Sequence, residues 1–438
     1  LAKKLFTLAC LAVLVGAIGS PAANAADISA PSFRSTFPDS LEQVKCQTPT
    51  LEERIQMYGA SFNDPSDCSQ FGTNPLPEYD GPLVYEIPVV THVVMDDSCT
   101  NGDISDEMVA TQIDILNEDF LALMGSNGEE GNKTLIRFRQ AKVDPAGNPT
   151  DGITRTCNTT YYNDGGAYYN ELNWDPNEYM NVYTNNNFAL GYVPFLPADS
   201  GGAFVGLPSD RVVVLWESFG RFSPIPNYNL GRTSTHEVGH YLGLEHTFSG
   251  GCGDADAPGC YATGDLICDT NSESAPVFRP CEVGINNSCG TEDPSDNYMD
   301  YSDDICMNKF TVEQTRRMRC TLENYRVDLA KSVTDFLTMT PADPSQAQAP
   351  NTWKIEDATP GAEVFLLVSS VPGSVDLIGC AGETLDIGRP FRIAGSFIAD
   401  GDGRGSVTAT PPAISGTYFY QAVDRANCSI SNRGSSDY

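Results

Sequence analysis

The sequence predicts an α+β domain, a mixed twisted sheet with a histidine-bearing helix, followed by an all-β sandwich domain. Three observations predict it. Between residues 83 and 337, β-branched runs alternate with amphipathic helical patterns. Three of the chain's four histidines fall within eleven residues, on one of those helical patterns. Beyond residue 351, short apolar runs broken by Pro-Gly, Asp-Gly-Asp-Gly and Pro-Pro turns show no helical period, the texture of a sandwich.

The elements follow in order. Lys3 and Lys4 precede the apolar run Leu5–Ile18, and Pro21 and Ala23-Asn24-Ala25 follow it, so residues 1–25 read as a bacterial Sec-type signal peptide. Cys10 lies inside that run, with Thr7 where a lipid-anchored cysteine would want an aliphatic residue. The protein is therefore expected to be secreted, where cysteines pair. Residues 26–82, rich in Pro, Ser, Asp and Asn and without a period, read as a propeptide. The α+β domain is expected over 83–337. It opens with a buried strand at Leu83–Val94, and Ser105 then caps a helix whose Val109, Ile113, Leu116 and Phe120 share a face. Strands are expected at Ile136–Val143, Met180–Thr184, Phe188–Phe195 and Arg211–Glu217, the last parallel and feeding a helix from Thr233 to about Leu244. Phe188–Phe195 is a candidate edge strand, to which an extended segment could add by backbone hydrogen bonds. The loop from Gly250 to Asp304, dense in Gly, Asp and Cys, is too long to go unstapled in a compact domain. Thr311 and Gln314 form a capping box that opens a helix running to about Phe336. Residues 338–351 read as a linker and 352–438 as the sandwich, with Cys380 and Cys428 paired.

Composition narrows the partners. A net charge of −32 over 438 residues repels a phosphate backbone, which excludes nucleic acid. After the signal, no apolar run reaches the ~18 residues of a membrane span. The sandwich is a candidate for binding a surface or substrate.

The chemistry is concentrated in His236-Glu237-Val238-Gly239-His240-Tyr241-Leu242-Gly243-Leu244-Glu245-His246. Histidines four apart on a helix face the same way and can grip one Zn²⁺ from successive turns. Glu237, next to the first ligand, reaches a zinc-bound water as general base. Gly243 lets the helix end and the chain turn, bringing His246 round as third ligand and leaving a fourth position open, as in catalytic zinc sites. Asn297-Tyr298-Met299-Asp300-Tyr301 supplies the downstream methionine turn that the metzincin metallopeptidases pair with this motif.

The flanks sharpen the match. Gly231–Thr235 before the helix, Asn297–Asp304, and Cys306-Met307 with Phe310-Thr311 closely resemble the pappalysin family (peptidase M43, ulilysin-like), over about Leu83–Leu329. Tyr241 departs from the family, which usually carries Trp there. The resemblance implies a metzincin fold and zinc-dependent hydrolysis of protein or peptide substrates. It implies zinc ligands His236, His240 and His246, general base Glu237, Met299 beneath the metal, and Tyr301 as the donor that stabilises the oxyanion. Asp304 corresponds to the acidic residue at the base of the S1′ pocket, which favours a basic P1′ side chain. Gly264–Thr270 resembles a family calcium loop, with Asp265, Asp269 and Thr270 as candidate ligands. Bridges Cys252–Cys289 and Cys281–Cys306 are implied by the same resemblance, and Cys260–Cys268 is a candidate local bridge. No pairing is assigned to Cys68, Cys99, Cys157 or Cys320.

Loss of Cys10 with the signal leaves thirteen of fourteen cysteines, so at least one is free or intermolecular. Cys46, in Val44–Glu53, resembles the propeptide cysteine of pappalysins, whose thiolate would take the fourth zinc position and keep a zymogen latent. A Cys46–Cys68 bridge is the alternative. His92, mid-strand in an apolar run, reads as a core histidine. Two other functional readings stand beside the latent peptidase. One is a secreted, calcium-stabilised adhesion or binding protein with an inactive peptidase domain, which the intact ligands, base, Met-turn and tyrosine argue against. The other is a broadly specific peptidase, if Asp304 does not reach S1′.

Overall fold

The computed structural model describes residues 44–58, 68, 77–221, 223–278, 286–333, 336–340, 349–380, 382–410 and 414–437. The expected signal peptide, residues 26–43 of the expected propeptide and Cys281 lie outside the described residues.

Strand β1 (Val44–Cys46) and helix α1 (Leu51–Tyr58) come first. They are followed by β2 (Val84–Met95), α2 (Asp106–Phe120), β3 (Ile136–Gln140), β4 (Ile153–Cys157), and the short helices α3 (Thr159–Tyr162) and α4 (Tyr169–Leu172). Then come β5 (Met180–Asn185), β6 (Ala189–Tyr192), β7 (Val212–Leu215), α5 (Arg232–Tyr241), α6 (Val312–Asn324) and β8 (Lys331–Val333). These strands form one mixed sheet in the order β1-β6-β7-β5-β2-β3, with β4 and β8 also paired to the long β2. Pairing is parallel except for β6 on β7 and β8 on β2. β1 is thus an edge of this sheet, and β6, within the segment expected as an edge strand, lies between β1 and β7.

α2 starts where Ser105 accepts a hydrogen bond from the Met108 amide at 3.2 Å, and its Val109, Ile113, Leu116 and Phe120 enter the main core. The same helix carries polar residues to the zinc-motif helix α5. Gln112 donates to the Gly231 carbonyl at 3.0 Å, and Asp119 takes Arg232 at 3.0 Å and the Thr235 hydroxyl at 2.7 Å. α6 opens with the expected capping box but ends at Asn324, not near Phe336. The buried Arg326 explains the stop. It grips Asp210 through two bonds, at 2.5 and 2.8 Å, and pins the chain where it turns into β8.

The C-terminal region is β-rich. Its strands are β9 (Phe336–Met339), β10 (Asn351–Glu356), β11 (Glu363–Ser369), β12 (Pro372–Asp376), β13 (Thr384–Ile387), β14 (Phe391–Ile398), β15 (Gly405–Ala409), β16 (Thr417–Asp424), β17 (Ile430–Ser431) and β18 (Gly434–Asp437). The main sheet runs β14-β11-β16-β17-β9-β10-β15, with β18 on β16, and β12 and β13 form a separate pair. Trp353, Leu366 and Tyr420 anchor its core. Thr338 and Met339, expected to open the linker, belong to β9, because that strand pairs with β17 and β10 and buries Leu337 and Met339. A second apolar cluster joins Ala110 of α2 to Leu367, Leu385, Ile387, Phe419, Val423 and Ile430.

Disulfides join Cys68–Cys320, Cys99–Cys157, Cys252–Cys289, Cys260–Cys268 and Cys380–Cys428. Cys68 is therefore bound to α6 and not to Cys46, which overturns the alternative bridge. Cys46 is free and buried. Cys306 is disulfide-bonded, and Cys281, its expected partner, is outside the described residues. No helix among the described residues is long and apolar enough to cross a membrane.

Candidate active site

α5 presents His236 and His240 from successive turns, and the chain reverses at Gly243 (φ +94°) to return His246. The Nε2 atom of His240 lies 3.1 Å from that of His236 and 3.0 Å from that of His246. Nδ1 of His236 lies 2.7 Å from the Tyr298 carbonyl, and Nδ1 of His240 is 2.7 Å from the Leu244 carbonyl. A carbonyl only accepts, so both Nδ1 atoms carry the proton and both Nε2 lone pairs face the shared point. Burial, above all, holds these imidazoles neutral. It lowers His240 to about 3 and His236 and His246 well below their ordinary value. Three neutral nitrogen donors on one point, all buried, fit a zinc ion.

Met299 lies directly beneath. A Cβ at Gly239 would meet the Met299 sulfur at 2.4 Å, so only glycine lets the helix sit on the turn. The turn is held by Asn297, whose side chain accepts from the Met299 amide at 2.9 Å and donates to Gln314 at 2.8 Å. Glu237 is fully buried, and burial pushes its carboxyl up to about 8. A Cβ at Gly191, on β6, would come within 2.6 Å of the Glu237 Cγ.

The N-terminal segment crosses this centre. β1 pairs parallel with β6, Val44 opposite Ala189 and Cys46 opposite Gly191. One ligand atom from each of Cys46, His236, His240 and His246 fits within a mutual 4.8 Å. The Cys46 thiol donates to Glu237 Oε2 at 3.5 Å, the Thr48 hydroxyl donates to the same oxygen at 3.3 Å, and the Tyr301 hydroxyl donates to the Cys46 carbonyl at 3.3 Å. Beside the thiol, Lys45 is buried. Its ammonium donates to the Ser302 carbonyl, lies 3.2 Å from the Met307 sulfur and sits 5.4 Å over the Tyr228 ring. Burial lowers Lys45 to about 8, against the pull of Asp304, Asp300 and Asp303. Asp304 spends Oδ2 on the amides of Leu230 (2.9 Å) and Arg232 (3.2 Å), while its buried Oδ1 has no hydrogen-bond partner.

The family model described as "Pregnancy-associated plasma protein-A" (peptidase M43) matches residues 167–323. An extracellular metalloprotease of Colletotrichum graminicola is 35% identical over 248 residues, covering 55% of this chain and 77% of that protein. Extracellular metalloprotease 1 of Coccidioides posadasii is likewise 35% identical, covering 55% and 78%. The chain belongs to the pappalysin family of metallopeptidases. Among solved structures, Tannerella forsythia mature mirolysin in complex with a cleaved peptide is 32% identical, with a TM-score of 0.47, over 56% of this chain and 95% of that one. Membership of this metzincin family implies a catalytic zinc.

The remaining pappalysin residues divide. Tyr241, where the family usually has Trp, is buried with the Arg326 guanidinium 3.5 Å over its ring. Of the residues expected to bind calcium, Asp265 accepts the Thr270 hydroxyl at 2.7 Å, and Asp269 Oδ2 accepts the Glu313 amide at 2.9 Å in the first turn of α6, where helix N-termini favour a carboxylate. His92 is a core histidine, between Thr154 at 2.8 Å and Asn181 at 2.9 Å and stacked on Tyr183. Sequence reasoning did not find Arg54. It lies on α1, is 1% exposed, and is paired with Asp199 at 3.0 Å and with Glu245. Nor did it assign a role to Lys45, although adjacency to Cys46 was a signal in plain view.

Proposed function

We propose that the chain is a secreted zinc metalloendopeptidase made as a latent zymogen, with a preference for basic P1′ residues. The observation that carries this is the convergence of three histidine nitrogens with the Cys46 thiol beside the buried carboxylate of Glu237. His236, His240 and His246 hold the zinc, which when bound supplies Lewis acidity to a water and to the scissile carbonyl. Glu237 takes the proton of the attacking water and delivers it to the leaving amine. Tyr301 donates to the oxyanion, as its hydroxyl now donates to the Cys46 carbonyl. Met299 supports the ligands from below.

Latency rests on Cys46. Burial and Glu237 push its thiol well above the ordinary value, and a divalent cation on the three histidines inverts that balance in favour of thiolate. Lys45, buried within the field of Asp304, Asp300 and Asp303, is read as standing where a basic P1′ side chain would. A substrate that puts its P1′ residue there and its P1 residue on the Cys46 side runs opposite to β1, so the zymogen segment lies backwards across the catalytic groups. Maturation in this reading cuts before Cys68. That cysteine is bridged to Cys320, Asp80 takes Arg316 at 2.6 Å, and the Tyr79 carbonyl accepts from Arg319. Cys68, Tyr79 and Asp80 would therefore stay with the catalytic domain, placing the cut earlier than the boundary expected at residue 82. The C-terminal region is read as a sandwich, supported by Gly405, where a Cβ would strike the Phe397 ring at 2.0 Å and hold β15 off β14. Calcium is read with Asp265, Asp269 and Thr270 among its ligands; burial pushes the Asp265 carboxyl up to about 7. Thermal unfolding with and without a calcium chelator tests it.

The test of the function is cleavage of a peptide library by the processed protein, with and without a zinc chelator. Chelator-sensitive cleavage before Arg and Lys is expected. Glu237→Ala should keep stoichiometric zinc yet lose turnover, and turnover retained by that variant sinks the mechanism.

A further inference from the structure

Residues 44–58 contain two cations, Lys45 and Arg54, and the catalytic module buries both in acidic surroundings. They lie on opposite sides of Cys46. Beyond Cys46 the segment continues along β6, with the Gln47 amide on the Gly191 carbonyl at 3.0 Å and the Val193 amide on the Thr48 hydroxyl at 2.9 Å. It then reaches α1, where Arg54 bridges Asp199, in the turn after β6, and Glu245, next to the ligand His246. The receiving carboxylates are positioned by the catalytic module itself. Asp199 Oδ2 accepts the Leu196 amide at 2.8 Å, and Glu245 Oε2 lies 3.5 Å from the Ser249 hydroxyl.

On the zymogen reading above, departure of the segment removes the guanidinium and leaves two carboxylates beside the groove with no countercharge, an arrangement that favours a replacement cation. We infer that Asp199 and Glu245 form a second acidic subsite, on the non-primed side of the scissile bond, that takes a basic side chain of the substrate. The Arg54 guanidinium marks the pose. Nε faces one carboxylate and Nη2 the other, a fork that a lysine ammonium does not reproduce, so arginine is the preferred occupant. The active centre is then flanked by cation sites on both sides, and the segment that blocks it carries one cation for each.

The test uses the processed, zinc-loaded enzyme made from the full chain, and peptides with Arg fixed at P1′ and P4 to P1 varied. Wild type should enrich arginine at one non-primed position. In the Asp199→Asn/Glu245→Gln double variant, the kcat/KM ratio of Arg over norleucine at that position should fall roughly ten- to a hundredfold, as loss of charge-assisted bonds implies. The same ratio measured at P1′ should hold, which separates loss of this subsite from general damage. Absence of arginine enrichment at every non-primed position in wild type overturns the subsite, as does an unchanged ratio in the double variant. A wild-type enzyme that cleaves no peptide overturns the peptidase reading and the subsite together.

Discussion

Replacing Arg54 by methionine keeps most of the buried stem and deletes the guanidinium that Asp199 and Glu245 share. Arg54 is 1% exposed and its partners 2% and 4%, so solvent screens little of the interaction. Removing one partner of such a buried pair costs about 3–5 kcal/mol, because the charge left behind has neither water nor counterion. The cost falls on the form with α1 docked, since Asp199 and Glu245 regain water once α1 lifts. At about 1.4 kcal/mol per tenfold, the population with the segment undocked should rise by roughly two to three and a half powers of ten. Alkylation of Cys46, the free cysteine among the described residues, reads that population directly. In a Glu237→Ala background, chosen so that no peptide bond is cut during the assay, its maleimide rate located by mass spectrometry should rise by about that factor when opening is rapid and reversible. Arg54→Lys, keeping one charge without the fork, should fall between. An Arg54→Met rate within threefold of the parent would refute the claim that this pair holds the segment down.

Two further outcomes follow from single contacts. Gly191→Ala places a Cβ 2.6 Å from Glu237 Cγ and 2.9 Å from its Oε1, so the carboxylate must move. Metal analysis should still find one zinc, while kcat drops by about 10²–10⁴, the range a displaced general base commands, and an undiminished kcat would show the carboxylate free to adjust. For Asp386, burial alone would raise the carboxyl, but Arg139 and Lys142, with Arg433, outweigh it and hold it well below the usual range. A depressed folded pKa stabilises above the unfolded value near ~3.9 and is lost as pH falls below it. Asp386→Asn should therefore cost about 3–5 kcal/mol near neutrality. The Tm gap to wild type should shrink below about pH 4, and a gap that ignores pH would contradict the linkage.

The zinc motif was legible because helical spacing is geometry written into sequence. Residues four apart on α5 must face together, and Gly243 announces the turn. The ends of α6 and the linker were not. What stops α6 is the side chain of Arg326 reaching Asp210, 116 residues earlier in the chain, and no local pattern records that partner. Asp269 shows the same limit, since the Glu313 amide it accepts lies 44 residues on in the chain. The contacts of Arg54 span 145 and 191 residues, so the segment read as an irregular propeptide carried its most informative side chain unnoticed.

The same reasoning bears on the C-terminal region, which the sequence presented as a separable β domain. Separable domains meet through modest polar interfaces. Here Ala110 on α2 enters the apolar cluster of the β-region, and the buried Asp114 one turn later takes Arg433 at 3.0 Å. Asp386 on β13 takes Arg139 at 3.0 Å and Lys142 at 2.6 Å. Farther along the same α2, Asp119 secures Arg232 and Thr235 of the zinc-motif helix. One helix thus packs the β-region at one stretch and positions α5 at another. A chain cut after β8 would leave Ala110 exposed and Asp114 without its arginine. The C-terminal region therefore packs on the same helix that positions the zinc-motif helix, so its loss would be felt at the three histidines.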